Sequence, residues 1–225
     1  PLSNFWVQSF LSTMRTILVI LLTSLSMHDA NAQVWTQLVS GTNNDLKAVH
    51  FPTTLVGYAV GVDGTILKTA DGGDTWQPTL FDHPGYWFWD VHFTSADTGY
   101  VCGESDPGMN PSGAGIVLKT VNGGASWTSY IAGLAYPLRD LFVLDQDTVI
   151  ACGSAQGVVG FIQRTVDGGS TWLGIGQAYL DASLGGMYFH NSEFGFLGLY
   201  EGSSGFFVPL HSSWLGYYSG TTFSS

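Results

Sequence analysis

The chain has 225 residues, with 6 lysines and arginines against 17 aspartates and glutamates, a formal net charge of −11. So few cations cannot neutralise a run of phosphates, which excludes a nucleic-acid-binding surface and disfavours docking on anionic lipid. Charged residues make up only 10% of the chain, and its 30 glycines and 14% aromatic residues are typical of a β-rich protein.

The N-terminal region has the pattern of a secretory signal. Met14 and Arg15 precede an apolar run at residues 16–26, and Ala30 to Ala32 has the spacing of a cleavage site. The run is too short for a bilayer span, which takes about 20 residues. We expect export with cleavage after Ala32 and no stable membrane span afterwards; residues 1–13 are interpreted as translated upstream sequence. The alternative is an amphipathic N-terminal helix of the mature protein.

From residue 33 the chain is built of repeats. Trp35, Trp76, Trp127 and Trp172 recur at intervals of 41, 51 and 45 residues. A period of 40–50 residues with several short strands per unit is the signature of β-propeller blades. Innermost strands are predicted at 46–51, 88–93, 138–143 and 184–189, second strands at 57–61, 99–103, 149–153 and 195–198, and third strands at 64–69, 115–120 and 160–165. The links between them are too short for crossover helices, so the strands form antiparallel meanders.

The fourth unit is degraded from about residue 200. Residues 205–210 could be its third strand, but no Asp-Gly-Gly turn follows. We predict an all-β propeller of four-stranded antiparallel blades at 33–225, with about four blades present and the ring incomplete. In the alternative, Trp35–Ser40 supplies the missing fourth strand and closes a four-bladed ring, which would remove the exposed sheet edge.

Three turns share the pattern Thr-x-Asp/Asn-x-Gly-x-Thr/Ser-Trp. An Asp or Asn at the third position accepts hydrogen bonds from its own turn, the glycine permits a positive φ, and the tryptophan buries a large ring. We assign these residues a structural role that needs no ligand. They are Asp71, Gly73 and Trp76, then Asn122, Gly124 and Trp127, then Asp167, Gly169 and Trp172.

These turns match the Asp-box, or BNR repeat, found in sialidases, sortilin-type receptors and some glucanases. The whole unit, from Gly57-Tyr-Ala-Val-Gly61 to Gly64 and Trp76, most resembles the photosystem II stability/assembly factor family over roughly residues 34–200. The resemblance implies a seven-bladed propeller that acts as a non-enzymatic binding scaffold. Photosynthetic members present an arginine-rich face, whereas the mature chain has only Arg139 and Arg164.

A glycosidase is the alternative activity. A resemblance to sialidases would require three arginines around the substrate carboxylate, and the mature chain has two. Glycoside hydrolysis in general needs two carboxylates across a cleft, and Asp90 and Asp140 occupy one column of the inner strands. They could instead cap strand ends or pair with Lys47 and Arg139. We predict no enzymatic activity.

Neither a metal nor a cofactor is predicted. His50 and His92 share a column with aromatic residues, which favours packing over metal binding. Glu104 begins an acidic segment, 104–110, that is interpreted as a solvated loop because it lacks the ligand spacing of a calcium site. Cys102 and Cys152 occupy equivalent positions in neighbouring repeats, about 10 Å apart, too far for a disulfide.

The candidate contact surface lies around the link at 81–89, which we expect to be an exposed loop. Exposed aromatic residues on one face of a propeller suggest a protein or carbohydrate contact; plugging of the channel mouth is the alternative. We expect a protein partner, with a glycan as the second possibility. The predicted binding residues are Tyr86, Trp87 and Trp89, with the adjacent charged column Lys47, Asp90, Arg139 and Asp140.

Overall fold

The computed structural model describes residues 37–79, 84–105, 114–130, 137–155, 159–178, 183–190, 194–201 and 204–211. The predicted signal at 1–32, most of the link that precedes Gly85, and the tail from residue 212 lie outside the described residues.

Within those ranges the regular structure is entirely β. The strands are β1 Leu46–His50, β2 Gly57–Gly61, β3 Ile66–Thr69, β4 Gln77–Pro78, β5 Tyr86–Phe93, β6 Gly99–Ser105, β7 Gly115–Thr120, β8 Thr128–Tyr130, β9 Leu138–Val143, β10 Val149–Ala155, β11 Val159–Thr165, β12 Leu173–Ala178, β13 Ser183–Phe189, β14 Phe194–Glu201 and β15 Ser204–His211. Each inner, second and third strand falls where the repeat alignment predicts it, with shifts of a few residues at the ends.

The strands form four antiparallel sheets in chain order. We call them blades 1 to 4: β1–β4, β5–β8, β9–β12 and β13–β15. The predicted propeller architecture is confirmed, and the first strands β1, β5, β9 and β13 contact one another in that order. Residues 37–40 form no strand, so the predicted ring-closing strand is wrong for that part of Trp35–Ser40.

An apolar cluster fills each space between neighbouring blades. Tyr58 and Val60 of blade 1 pack with Val91 and Phe93 of blade 2. Equivalent clusters lie between blades 2 and 3 and between blades 3 and 4. Trp127 and Trp172 pack against the first two clusters. Burial of apolar area between sheets is the main stabilising term of such a fold.

The second strands of blades 1 to 3 each have a glycine at a position where any side chain would clash with the inner strand. A Cβ added at Gly103 would lie 2.1 Å from the carbonyl oxygen of Trp87, and Gly61 and Gly153 meet the same obstacle. In all three blades the inner strand carries a β-bulge at this point. The glycine therefore lets the bulged backbone approach the second strand closely.

Each Asp-box turn is organised by its own side chains. In the first turn, Asp71 accepts hydrogen bonds from the backbone N–H and the hydroxyl of Thr75, at 2.9 and 2.6 Å, and from the Thr69 hydroxyl at 2.7 Å. Hydrogen bonds from Thr75, followed by that from Thr69, lower the pKa of Asp71 to about 2. Gly73 has φ +102°, a conformation that glycine adopts without strain. The turn at Asp167 repeats this network. The turn at Asn122 differs in one bond, because Asn122 Nδ2 donates to the Ser126 hydroxyl instead of accepting from it.

Hydrogen bonds also join each blade to the next. The Tyr58 hydroxyl donates to the carbonyl of Ala96 in blade 2, at 2.7 Å. The Tyr100 hydroxyl makes the same bond, also 2.7 Å, to the carbonyl of Gln146 in blade 3. Lys68 lies over the Tyr58 ring and donates to the carbonyl of Gly123. These contacts join the second and third strands of one blade to the turns of its neighbour.

Cys102 and Cys152 are buried and free. Burial raises the pKa of both thiols well above the usual range. Within the described residues, no helix has the length and apolarity that a membrane crossing requires.

Candidate functional site

Three β-bulges bring three side chains to one place. Lys47, Trp89 and Arg139 are the bulge residues of β1, β5 and β9, each skipped in the pairing with its second strand. Because the blades repeat the same bulge, these residues occupy one structural position in three neighbouring blades. We call this group the bulge cluster.

Trp89 lies between the two cations of the bulge cluster. The Arg139 guanidinium stands 4.3 Å from the centroid of the Trp89 ring, and the Lys47 amine stands 5.7 Å from it. Attraction of a cation to an indole face contributes about 0.5–2 kcal/mol. Trp87 adds a second indole, with its ring centroid 6.2 Å from that of Trp89.

Glu104 fixes two members of the bulge cluster, Trp89 and Arg139. Its side chain is almost fully buried on β6, and its Oε1 accepts hydrogen bonds from Trp89 Nε1 at 2.9 Å and from Arg139 Nη1 at 2.5 Å. The carboxylate thereby fixes both the indole and the guanidinium that stacks on it. The prediction of Glu104 in a solvated loop is wrong, because β6 continues to Ser105.

The aromatic residues predicted to lie on an exposed loop belong to a strand. Tyr86 and Trp87 are half-buried at the start of β5. The Tyr86 ring stacks on Phe88 and packs against the cluster between blades 1 and 2. The expectation of an exposed loop is therefore wrong for Tyr86 and Trp87, whereas Phe88 and Trp89 lie in the inner strand predicted at 88–93. Their role in binding stays a prediction.

Asp90 and Asp140 form a second group directly after the bulge residues. Asp90 accepts a hydrogen bond from the backbone N–H of Leu141 in blade 3, at 3.1 Å, and Asp140 accepts one from the backbone N–H of Met187 in blade 4. Burial, followed by the hydrogen bond with Asp140 and its charge, raises the pKa of Asp90 to about 8. This shift favours the protonated form of Asp90, which can donate a hydrogen bond to Asp140.

The alternative in which these aspartates pair with Lys47 and Arg139 is wrong. Lys47 forms its ion pair with Asp45, at 3.2 Å, and Arg139 forms its ion pair with Glu104. The sequence predicted one column of charged residues, but the structure divides these residues into two groups. Lys47 and Arg139 belong to the bulge cluster, whereas Asp90 and Asp140 form an acid pair that joins the inner strands of blades 2, 3 and 4.

The histidines belong to an aromatic column. The rings of His50 and His92 stack with centroids 4.6 Å apart, and Phe142 and Tyr188 extend the column. Burial, followed by the charge of His50, lowers the pKa of His92 to about 4, so this ring is neutral at pH 7. Among the described residues, no cluster of three or more His, Cys, Asp or Glu side chains could hold a metal ion.

Antiparallel blades, Asp-box turns and clusters between successive blades define the chain as an Asp-box β-propeller. The model of the family described as photosynthesis system II assembly factor YCF48 matches residues 27–193. The chain therefore belongs to this family.

Three similar proteins illustrate the relationship. The photosystem II assembly protein Ycf48 of Synechococcus sp. (strain JA-2-3B'a(2-13)) is 29% identical over 176 residues, covering 75% of this chain and 47% of that protein. A solved structure of YCF48 bound to D1 peptide superposes with a TM-score of 0.58 at 25% identity, covering 81% of this chain and 57% of that one. The GH74 enzyme of Niastella koreensis has a TM-score of 0.58 at 19% identity over 77% of this chain and 31% of its own.

The chain spans about half the length of the curated relative. The likeness to the GH74 enzyme concerns the fold alone.

Proposed function

We propose that this chain is a non-enzymatic β-propeller scaffold that binds a peptide segment of a protein partner. The bulge cluster carries the proposal. Together with the neighbouring Trp87, it places two indoles and two cations side by side, and Glu104 holds the Trp89 indole and the Arg139 guanidinium in place. Rigid aromatic and arginine side chains of this kind dominate the energetics of protein interfaces.

Charge and family membership support a peptide over a free sugar. Among the described residues, the carboxylate that pairs with the Lys47 amine is the exposed Asp45, so a ligand carboxylate could compete for the amine at little cost. A similar solved structure is bound to a D1 peptide. We therefore propose an acidic or carboxyl-terminal peptide segment as the ligand class.

The experiment measures binding of that D1 peptide, labelled with a fluorophore, by anisotropy. Lys47→Ala should weaken binding about tenfold, the effect of losing one partly desolvated charge contact. Lys68→Ala is the matched control, because the Lys68 amine is engaged at the Asp-box turn of blade 2. Equal affinities of the two variants, or no binding by the unaltered chain, would contradict the proposal.

The glycosidase alternative can be tested separately. A retaining or inverting pair of carboxylates needs a separation of roughly 5 to 9.5 Å around the scissile bond. Asp90 and Asp140 are hydrogen-bonded to each other and to neighbouring strands, which does not suit that geometry. Hydrolysis of a glycan by the chain, abolished in an Asp90→Asn, Asp140→Asn variant, would show that it is an enzyme.

We also propose that the protein is exported. The support is the basic, apolar and small-residue pattern of residues 14–32. N-terminal sequencing of protein recovered from the secreting host should begin at Gln33. A chain that retains residues 16–26 would contradict export by a cleaved signal.

A further inference from the structure

Blade 2 has an asparagine where the other two Asp-box turns have an aspartate. The equivalents of Asn122 are Asp71 and Asp167, and Asn122 is followed directly by Gly123. No other asparagine of the sequence precedes a glycine. Such an asparagine is chemically labile, because glycine has no side chain to shield its backbone nitrogen from the adjoining amide. The sequence therefore contains one Asn-Gly pair, and it lies within a structural turn.

The turn holds the side-chain amide of Asn122 at an exposed position. Its Oδ1 accepts hydrogen bonds from the Thr120 hydroxyl at 3.0 Å and from the backbone N–H of Ser126 at 2.9 Å. Two donors on Oδ1 would stabilise the negative charge that forms there when a nucleophile adds to the carbonyl carbon. Asn122 Nδ2 donates to the Ser126 hydroxyl at 2.8 Å. The turn thus activates the carbon, and the bond to Ser126 restrains the nitrogen that has to leave.

The backbone nitrogen of Gly123 is the nucleophile next to this carbon. Its N–H donates to the backbone carbonyl of Asp97 at 2.8 Å, so this bond has to open before the nitrogen can react. The Lys68 amine donates to the carbonyl of Gly123 at 2.9 Å, and a cation at this distance favours loss of the Gly123 proton. Surface turns open locally at a much lower cost than global unfolding. The reaction can therefore proceed in the folded chain.

We propose that Asn122 is a deamidation site whose reaction the Ser126 hydroxyl restrains. The aspartate that forms takes up the hydrogen bonds that Asp71 and Asp167 make in their turns. In the first step the Gly123 nitrogen loses its proton to solvent and bonds to the side-chain carbonyl carbon, and Nδ2 leaves as ammonia. Water then opens the resulting succinimide ring at either carbonyl carbon, which gives aspartate or isoaspartate. The net reaction consumes one water and releases one ammonia.

An aspartate fits this turn because its partners are already in place. In blade 1, Asp71 Oδ1 accepts from the Thr69 hydroxyl and the Thr75 N–H, and Oδ2 accepts from the Thr75 hydroxyl. When Nδ2 of the asparagine becomes an oxygen, the Ser126 hydroxyl only has to rotate from accepting to donating. Isoaspartate adds a carbon to the backbone and changes this spacing. The aspartate product would give blade 2 the charged turn of blades 1 and 3.

Peptide mapping by mass spectrometry of the full chain, incubated at neutral pH, measures the modification. Asn122 should convert several-fold faster than Asn43, which is also exposed but precedes the side chain of Asn44. Ser126→Ala frees the leaving nitrogen and should speed conversion of Asn122 by about fivefold, the effect of losing one neutral hydrogen bond. Ser129→Ala is the matched control, since Ser129 is exposed in β8, and should leave the rate unchanged.

Thermal unfolding at neutral pH tests whether the turn accepts the product. Asn122→Asp should melt at or above the temperature of the unaltered chain, because every partner of the side chain keeps a hydrogen bond. Asn122→Ala should melt lower, because the Thr120 hydroxyl and the Ser126 N–H lose their acceptor.

Three results would overturn the proposal. Conversion of Asn122 no faster than that of Asn43 would show that the Asn-Gly pair is not a modification site. Equal rates in Ser126→Ala and Ser129→Ala would show that the Ser126 hydroxyl does not restrain the reaction. A melting temperature of Asn122→Asp as low as that of Asn122→Ala would show that the turn does not accept an aspartate.

Discussion

Glu104→Ala would remove the one carboxylate that fixes the bulge cluster. Trp89 Nε1 and Arg139 Nη1 both donate to Glu104 Oε1, and only 3% of the Glu104 side chain is exposed. The alanine leaves an indole N–H without its acceptor and a guanidinium without its counter-ion. Trp89 is partly buried and the Arg139 guanidinium stacks on its ring. Water can therefore replace the lost hydrogen bonds only in part.

The magnitude depends on how far Arg139 can rehydrate. Removing one partner of a fully buried ion pair costs about 3–5 kcal/mol. The Arg139 side chain is 31% exposed, so its charge regains part of its hydration and the loss falls to about 2–3 kcal/mol, the range of hydrogen bonds to charged groups. For a domain of this size, about 2–4 °C of melting temperature corresponds to each kcal/mol. We therefore expect a decrease of roughly 5–10 °C.

Thermal unfolding followed by circular dichroism measures this decrease. Asp45→Ala is the control, because it breaks the ion pair of Lys47, whose partner carboxylate is 77% exposed, and such surface pairs contribute at most about 1 kcal/mol. Glu104→Gln should fall between the two variants, since it keeps one acceptor and loses the charge. If Glu104→Ala and Asp45→Ala lowered the melting temperature equally, Glu104 would not be the anchor of the bulge cluster.

Two further predictions concern the acid pair and the bulge. The folded state retains the proton of Asp90 up to pH about 8, whereas the unfolded carboxyl releases it near 3.8, so stability should fall as pH rises across this window. Asp90→Asn should flatten the melting temperature against pH between these values, and parallel curves for variant and unaltered chain would contradict the shifted pKa. Gly103→Ala should lower the melting temperature markedly because of the Trp87 carbonyl, whereas Gly174→Ala, with open space at its Cβ, should change it little. Similar values for the two alanine variants would show that the bulge relaxes freely.

The blades were predictable from the sequence because their signals are local and repeated. The turn from Thr69 to Trp76 recurs with its hydrogen-bonding residues at fixed spacing, and each copy indicates where a third strand ends. The strand predicted at Trp35–Ser40 had no such turn. Pattern alone could not establish pairing with a blade far along the chain.

The bulge cluster was predicted only in part. Lys47, Trp89 and Arg139 are one residue before Ala48, Asp90 and Asp140, and sequence alignment combined the two groups. The β-bulge separates the two groups, since it leaves one residue of the inner strand unpaired with the second strand. Glu104 was missed because β6 was predicted to end at Gly103. Extending the alternation from Cys102 would have placed Glu104 on the same inward side.

The bonds between blades have a consequence for how such a chain can change over generations. The hydroxyls of Tyr58 and Tyr100 donate to backbone carbonyls, those of Ala96 and Gln146, and Lys68 donates to that of Gly123. A carbonyl is supplied by any residue, so the accepting position can mutate without loss of the bond. A newly duplicated blade could therefore form the same hydrogen bonds with its neighbour. The residues at the accepting positions could then be substituted, for instance by residues that bind a different ligand.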